Sequence, residues 1–461
     1  MSRPVQNPSE VSLVLEPPIR PSVGHLTAKH PCRMTLPIPC SHPAPCGMPC
    51  ERVLGPERHA VLELGNLARL AVMVVPASRG SFRGQAEELF SQLLCLVSRQ
   101  TTPLTATTMM VFLRDGANEA ECQEVIHALF GQERPVTTFV VQPPCCGAAL
   151  GVELWALGGP GVKVERLGPY LLAVESEGIR WVHCGGIRGH IGTDGAYGES
   201  LSAFTQLQQQ LALAGVSFDQ VVRTWLYVNQ ITSGESGHQR YHELNRARTD
   251  FYHGIRFGAK QRTGMSPMNV YPASTGIGTR GKQITMSCMA LDSKRRDVFL
   301  MPLENPRQTP AYNYQSAYSP QTPKFSRAMA VVQGDFISTL VSGTASIVDS
   351  KSCFPGDIRR QTEQALDNIE RLIAPENFAR QGLQGAGATL KDIAKLRVYV
   401  KHQGDYEACR EICERRLPRA PAIYLLADIC RPDLLMEVEA VAFSPFNSRE
   451  TLKSPEECLL R

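Results

Sequence analysis

Close to the end of the chain, residues 436–442 read Met-Glu-Val-Glu-Ala-Val-Ala. Acidic and apolar residues alternate with the period of a β-strand, so Glu437 and Glu439 project from one face. On a partly buried sheet a carboxylate loses the hydration of its anion. Its pKa then rises, and it can hold a proton near neutral pH, as a general acid must. The competing reading is a solvated, outward-facing pair. A second group lies in YHELNRARTDFY at 241–252, where Tyr241 and Arg248 stand seven apart and share one helical face two turns along. Alone, that spacing fits a solvated Arg over a packed Tyr equally well. In a third group, Tyr314 and Tyr318 precede Arg327. Arginine grips carboxylates through paired charge-assisted hydrogen bonds, and tyrosine suits pocket walls. Two arginines with two or three tyrosines would suit a small dicarboxylate, unless the stretch is an ordinary Tyr-rich surface loop.

Other motifs carry less. Gly276, Gly278 and Gly281 match GxGxxG, but the adjoining stretch 283–291 reads as a strand rather than a helix, so the glycines are expected to shape a turn and not a nucleotide site. There is no Walker loop, HExxH or GxSxG. Residues 1–55 are rich in Pro and polar residues and read as a loosely packed tail. The tail holds Cys32, Cys40, Cys46 and Cys50 with His25, His30 and His42 at spacings that match no standard zinc ribbon or finger. A net charge of +4 over 461 residues does not suggest nucleic-acid binding. No apolar run approaches a membrane span, and the polar start MSRPVQNPSE lacks a signal core. Fifteen cysteines without a secreted framework fit a reducing, cytoplasmic setting.

The elements that must position these residues come in three copies. Their second strands are Thr107–Leu113, Val221–Val228 and Ala394–Val400. Each copy places an amphipathic helix before that strand, a helical stretch after it and a β-rich pair at its end. In the third copy the helix carries Ala365, Leu366, Ile369, Leu372 and Ile373 on one face, with Asp357 as N-cap. Alternating strands and helices give an α/β (α+β) fold. The repeat suggests a pseudo-threefold arrangement with sites at the junctions. A Pro- and Tyr-rich linker joins copies two and three.

These residues resemble the chorismatases, within the RidA/YjgF superfamily. The resemblance rests on RTWLYV at 223–228, Tyr241 with Arg248, PASTGIG at 272–278, ENP at 304–306, FSRA at 325–328 and DICRPDLLMEVEA at 428–440. It implies three RidA-like (chorismate-mutase-like) modules with helices outside and mixed sheets closing on a central barrel. The corresponding division is 56–160 (degenerate), 165–295 (substrate-binding), a site-lining linker at 296–325, 326–445 (catalytic) and a tail at 446–461. Three modules in one chain can replace a homotrimer, which makes a monomer reasonable.

The resemblance also implies chorismate as the substrate, with neither metal nor organic cofactor. Tyr241, Arg248, Tyr314 and Arg327 match the positions that hold its carboxylates and ring. Glu437 matches the acid that protonates the methylene carbon of the enolpyruvyl ether. One branch of the family adds water and carries Ala at two marker positions. The branch that makes 3-hydroxybenzoate carries Cys and Gly there, as this chain does with Cys430 and Gly343. A RidA-type enamine/imine deaminase would need an Arg where this chain has Ala422, and a non-catalytic ligand-binding protein would not need Glu437 or Arg327. A chorismate hydrolase is the remaining alternative.

Overall fold

The three expected second strands lie inside three six-stranded mixed sheets. The computed structural model describes residues 33–35, 58–64, 66–192, 194–235, 238–258, 270–315 and 320–446. The Cys/His group of the tail, Tyr318 and the residues after Phe446 fall outside these. The first sheet is built from β1 (Arg33–Thr35), β2 (His59–Leu64), β3 (Leu67–Val74), β4 (Thr105–Leu113), β5 (Val136–Val141) and β6 (Leu150–Gly158). The second holds β7 (Lys163–Gly168), β8 (Leu171–Ser176), β9 (Ile179–Arg188), β10 (Val221–Asn229), β11 (Ala273–Thr279) and β12 (Thr285–Ser293). The third holds β13 (Val298–Leu303), β14 (Ala328–Gln333), β15 (Phe336–Thr344), β16 (Ile393–Val400), β17 (Ala422–Leu426) and β18 (Met436–Pro445). Counted along the chain, all three sheets have the order first, second, third, sixth, fourth, fifth.

In every sheet the fourth and fifth strands are parallel. A parallel pair needs a crossover, which helices α2 (Glu119–Phe130), α4 (Arg240–Tyr252) and α7 (Tyr406–Arg416) supply. Helices α1 (Phe82–Ser98), α3 (Gly195–Leu213) and α5 (Ile358–Ile373) join third to fourth strands. A short α6 (Pro375–Arg380) comes after α5. Asp357 caps α5 by accepting from the Arg360 amide at 3.0 Å, which satisfies one of the donors a helix start leaves open. Below it Ala365, Leu366, Ile369, Leu372 and Ile373 pack into the core of the third sheet. Among the described residues no helix is long and apolar enough to cross a membrane.

One expectation is corrected. The sheets do not close into a hydrogen-bonded barrel: among the described residues the ladders form three separate six-stranded sheets and two short two-stranded ones, and the large sheets meet through side chains and isolated bridges. The linker 296–325 also holds an element that the sequence reading did not pick out. Its VFLMPL run forms β13, fully buried against β14. Pro302 is tolerated there because β13 is an edge strand, where a missing N–H breaks no second ladder.

Equivalent strands of the three sheets converge on a buried ion cluster. In register, Met110 faces Glu153, Trp225 faces Ser287 and Arg397 faces Glu439. Glu153 of β6 accepts from Lys395 Nζ at 3.0 Å and Arg397 Nη2 at 2.6 Å on β16. Glu439 of β18 accepts from Arg223 Nη2 of β10 at 3.0 Å and forms an ion pair with Arg397 Nη1 at 3.0 Å. The Tyr227 hydroxyl accepts a further N–H of Arg397 at 2.8 Å. The cluster thus draws one residue or more from each sheet. Removing one member of a buried ion group leaves its partners uncompensated, which typically costs about 3–5 kcal/mol. Glu153→Gln is therefore expected to lower unfolding stability in urea by roughly that amount; a loss below about 1 kcal/mol would show that the cluster does not hold the sheets together.

Candidate active site

The second and third sheets meet along β11 and β15. The Ser274 amide donates to Ser342 Oγ at 2.9 Å, and the Gly343 amide to Thr275 Oγ1 at 3.0 Å. The Ser326 amide donates to Pro272 O at 3.2 Å, bringing the end of the Tyr-rich linker to the same seam. Beside this seam lies a cavity of about 490 Å³. Tyr241, Arg248, Tyr314, Arg327, Gly343, Cys430 and Glu437 all line it.

Glu437 stands on β18 opposite Tyr399 and is 5% exposed. Glu439, two residues on, is 1% exposed, so neither carboxyl of this pair faces solvent. Their protonation differs sharply. Burial alone would push both up. For Glu439 this is overcome by Arg397, Lys395 and Arg223, with Thr275 donating, and its carboxyl falls to about 2. Glu437 has no such partners. Burial and then the Glu439 anion push it up to about 8, against a weaker pull from Arg223 and Arg327. At neutral pH Glu437 therefore presents a protonated carboxyl to the cavity, while the Glu439 carboxylate, two residues on, lies in the ion cluster outside its lining.

The two arginines are buried as well, Arg248 1% and Arg327 3% exposed. Arg248, on α4, donates to Asn245 Oδ1 at 2.5 Å and to Ser274 Oγ at 3.4 Å. Arg327 donates to Thr309 O at 3.2 Å and to the Tyr314 hydroxyl. Both Nε atoms are buried without an acceptor, and among the described residues neither guanidinium is in a salt bridge. A buried donor left open is costly unless something fills it. An anionic ligand would do so at both arginines. Phe325 lies between them in space, 5.8 Å from the Arg248 carbon and 5.5 Å from that of Arg327.

Two glycines make room. A Cβ on Gly343 would lie 1.9 Å from Glu437 Oε1, so only glycine lets that carboxyl occupy its place. A Cβ on Gly276 would lie 3.0 Å from Tyr241 Cε2. Gly276 and Gly278 therefore sit within β11 and serve close packing, and the GxGxxG pattern is met by a strand and not by the expected turn alone. Cys430 is held as a neutral thiol, pushed up to about 12 by burial and by Glu437.

Sequence reasoning missed Glu153, the contribution of the first copy to the cluster that fixes Glu439. Arg223, Arg397 and Glu439 are members of that ion network. Grooves at the other two junctions, about 470 and 530 Å³, are lined differently, the one including Glu119 and Arg188 and the other Tyr406 and Tyr424. In register, Phe139 and Tyr424 take the position of Gly276.

The raised Glu437 pKa has a stability cost with a definite sign. Below the ordinary carboxylate value of 4.5 both folded and unfolded states hold the proton, and no cost exists. As pH rises from there to about 8 the unfolded state alone releases it, so the cost grows, and above 8 it is constant. Glu437→Gln is thus expected to raise unfolding stability by about 3 kcal/mol at pH 7 and by nothing near pH 4. Urea unfolding at the two pH values measures this; equal effects at both would show an ordinary carboxylate.

Comparison with known proteins agrees with this geometry. A family model described as chorismatase FkbO/Hyg5-like, N-terminal, matches residues 177–290, and one described as endoribonuclease L-PSP matches 317–444. A 3-hydroxybenzoate synthase of Streptomyces hygroscopicus is 33% identical over 276 residues, 58% of this chain and 77% of that protein. A chorismatase of Streptomyces rapamycinicus is 36% identical over 230 residues, 49% of this chain and 65% of that protein. A chorismatase crystal structure superposes with a TM-score of 0.58 at 22% identity, covering 82% of this chain and all of that one, and so shares the fold. With a relative one-third identical over three-quarters of its length, this chain belongs to the chorismatase family.

Proposed function

We propose that this protein converts chorismate to 3-hydroxybenzoate and pyruvate, with Glu437 as the acid. The observation that carries the proposal is the protonated, buried Glu437 carboxyl in a cavity shared with two buried arginines whose Nε donors are open. The relative named 3-hydroxybenzoate synthase supports the choice of product. In this reading Arg248 and Arg327 take the two carboxylates of chorismate, while Tyr241 and Tyr314 wall the ring. Each charge-assisted contact contributes about 1.5–3 kcal/mol.

Glu437 then gives its proton to the methylene carbon of the enolpyruvyl ether. The ether carbon becomes an oxocarbenium-like cation, which weakens the bond from the ether oxygen to the ring. A ring hydroxyl oxygen attacks the neighbouring ring carbon as that bond breaks and pyruvate leaves, giving up its proton; the bridging oxygen's bond to its original carbon then opens, the oxygen regains a proton, and loss of the ring proton on that original carbon restores aromaticity. That proton replaces the one Glu437 gave up. The two products together contain the atoms of the substrate, so no water is consumed. The hydrolytic outcome would instead consume one water per turnover. The neutral Cys430 thiol acts here as a weak hydrogen-bond donor and as volume beside the ring, not as a nucleophile.

We further infer that the three sheets surround a pseudo-threefold axis, supported by their identical strand order and by the cluster drawn from all of them. A monomer in the cytoplasm fits this arrangement, and the described cysteines are free thiols.

Pyruvate release from chorismate, with identification of the aromatic product, tests the function. Glu437→Gln should abolish release while binding persists; near-normal release would remove the proposed acid. Arg327→Ala should raise KM by about 10–100-fold, from the loss of roughly one charge-assisted contact. The wild-type rate should fall as pH rises through about 8, because Glu437 then loses the proton it must donate. Gly343→Ala combined with Cys430→Ala should divert product toward the dihydroxycyclohexadiene carboxylate, since the new Cβ displaces the Glu437 carboxyl. An unchanged product would show that these two residues do not set the outcome.

A further inference from the structure

A second cavity, about 110 Å³, lies where the three sheets converge, away from the site above. Its wall includes four cationic side chains, Arg69, Arg223, Lys395 and Arg397, but only two carboxylates, Glu153 and Glu439. Both carboxylates are already engaged by Arg223, Lys395 and Arg397. Arg69, on β3, has no carboxylate partner among the described residues, and its Nε is buried without an acceptor. Its guanidinium carbon lies 5.9 Å from the Trp181 ring and 5.7 Å from the Phe443 ring. Aromatic faces attract a cation but do not remove its charge. The wall thus sets four cationic side chains, Arg69 among them only partly buried, against two carboxylates, in a space large enough for several waters.

Uncompensated buried charge is expensive, and two remedies exist: a counter-ion, or loss of a proton. Burial lowers the pKa of Lys395 and brings that of Arg69 to about 10, so both are disfavoured as cations. His183 beside Arg69 is lowered to about 4 and stays neutral, so it does not add to the excess. Hydroxyls of Thr107, Thr138, Ser287 and Ser338 complete the polar part of the wall.

We propose that the central cavity binds a small inorganic anion, of the size of chloride or phosphate, which pairs with Arg69 and neutralises the convergence of the three sheets. The anion is structural, bound in the folded state and released on unfolding, so it raises stability by mass action. This is independent of the reaction at the other cavity.

Thermal unfolding of the full chain at pH 7 and fixed ionic strength tests the proposal, with sodium gluconate replaced stepwise by chloride or by phosphate. Gluconate is too large for the cavity. Wild type should gain a few degrees in melting temperature, saturating at millimolar chloride or phosphate; general salt effects do not saturate there. Chloride alone, or phosphate alone, identifies which anion is held. Arg69→Met should lose this rise yet be no less stable in gluconate, since it also removes the unpaired charge. If that variant does not fold, wild-type crystals soaked in bromide and, separately, in arsenate give the answer: an anomalous peak beside Arg69 in either supports the site, and its absence in both overturns it. Equal wild-type stability in gluconate, chloride and phosphate overturns the proposal. So does stability that varies between pH 6 and 9 without anion dependence, because relief then comes from a neutral Lys395.

Discussion

The structure depends on one buried carboxylate, that of Glu439. It accepts from Arg223, Trp225, Thr275 and Lys395 and forms an ion pair with Arg397; these stand on β10, β11 and β16. Such an anion cannot move without leaving cations stranded in a medium that solvates them poorly. β18 is thereby fixed against the second sheet, and Glu153 ties the first sheet to the same Lys395 and Arg397. What holds the modules together also sets the chemistry. Because Glu439 is committed to being charged, the next carboxyl on the same face resists a second negative charge.

Two carboxyls on one strand are thus driven apart in protonation by environment alone. Glu439 keeps its charge down to about 2, and Glu437 keeps its proton up to about 8. The same contrast appears wherever one acid of a pair is matched with cations and the other is left in apolar surroundings. Around Glu437 the cavity is held open by absences: no side chain at 343, none at 276, and no acceptor for Nε of Arg248 or Arg327. Glu304, next to the Arg327 amide, adds a second carboxyl pushed up, to about 7, by burial. Glu304 supports Arg327 from outside the lining, and the wall itself offers two cations and the Glu437 proton, an environment suited to a dianion that must receive one.

Much of this was legible in the chain. The alternation in MEVEAVAF put Glu437 and Glu439 on one face, and the seven-residue spacing of Tyr241 and Arg248 put them on one helix side; both are local periodicities. Burial was not legible, because alternation does not say which face of a strand another sheet will cover. Glu153 shows the limit and a way past it. In LGVELWALG it is a lone charge in an apolar run, easily taken for a solvated residue. Setting the three closing strands in register places it opposite the equivalent of Arg397 and level with Glu439. VFLMPL was lost in a proline-rich linker because the partner that makes it a strand, β14, lies beyond the whole Tyr-rich stretch. Barrel closure failed as an expectation because repeats fix the order of strands within a sheet and not whether neighbouring edges pair.

The most direct measurement is the titration of the Glu437 carboxyl itself in the unliganded protein, by infrared difference spectroscopy of wild type against Glu437→Gln. A protonated-carboxyl band belonging to Glu437 should be present at pH 7 and vanish as pH rises through about 8. A band already absent at pH 6 would mean that Glu437 is an ordinary carboxylate, and that neither burial nor the Glu439 anion holds its proton.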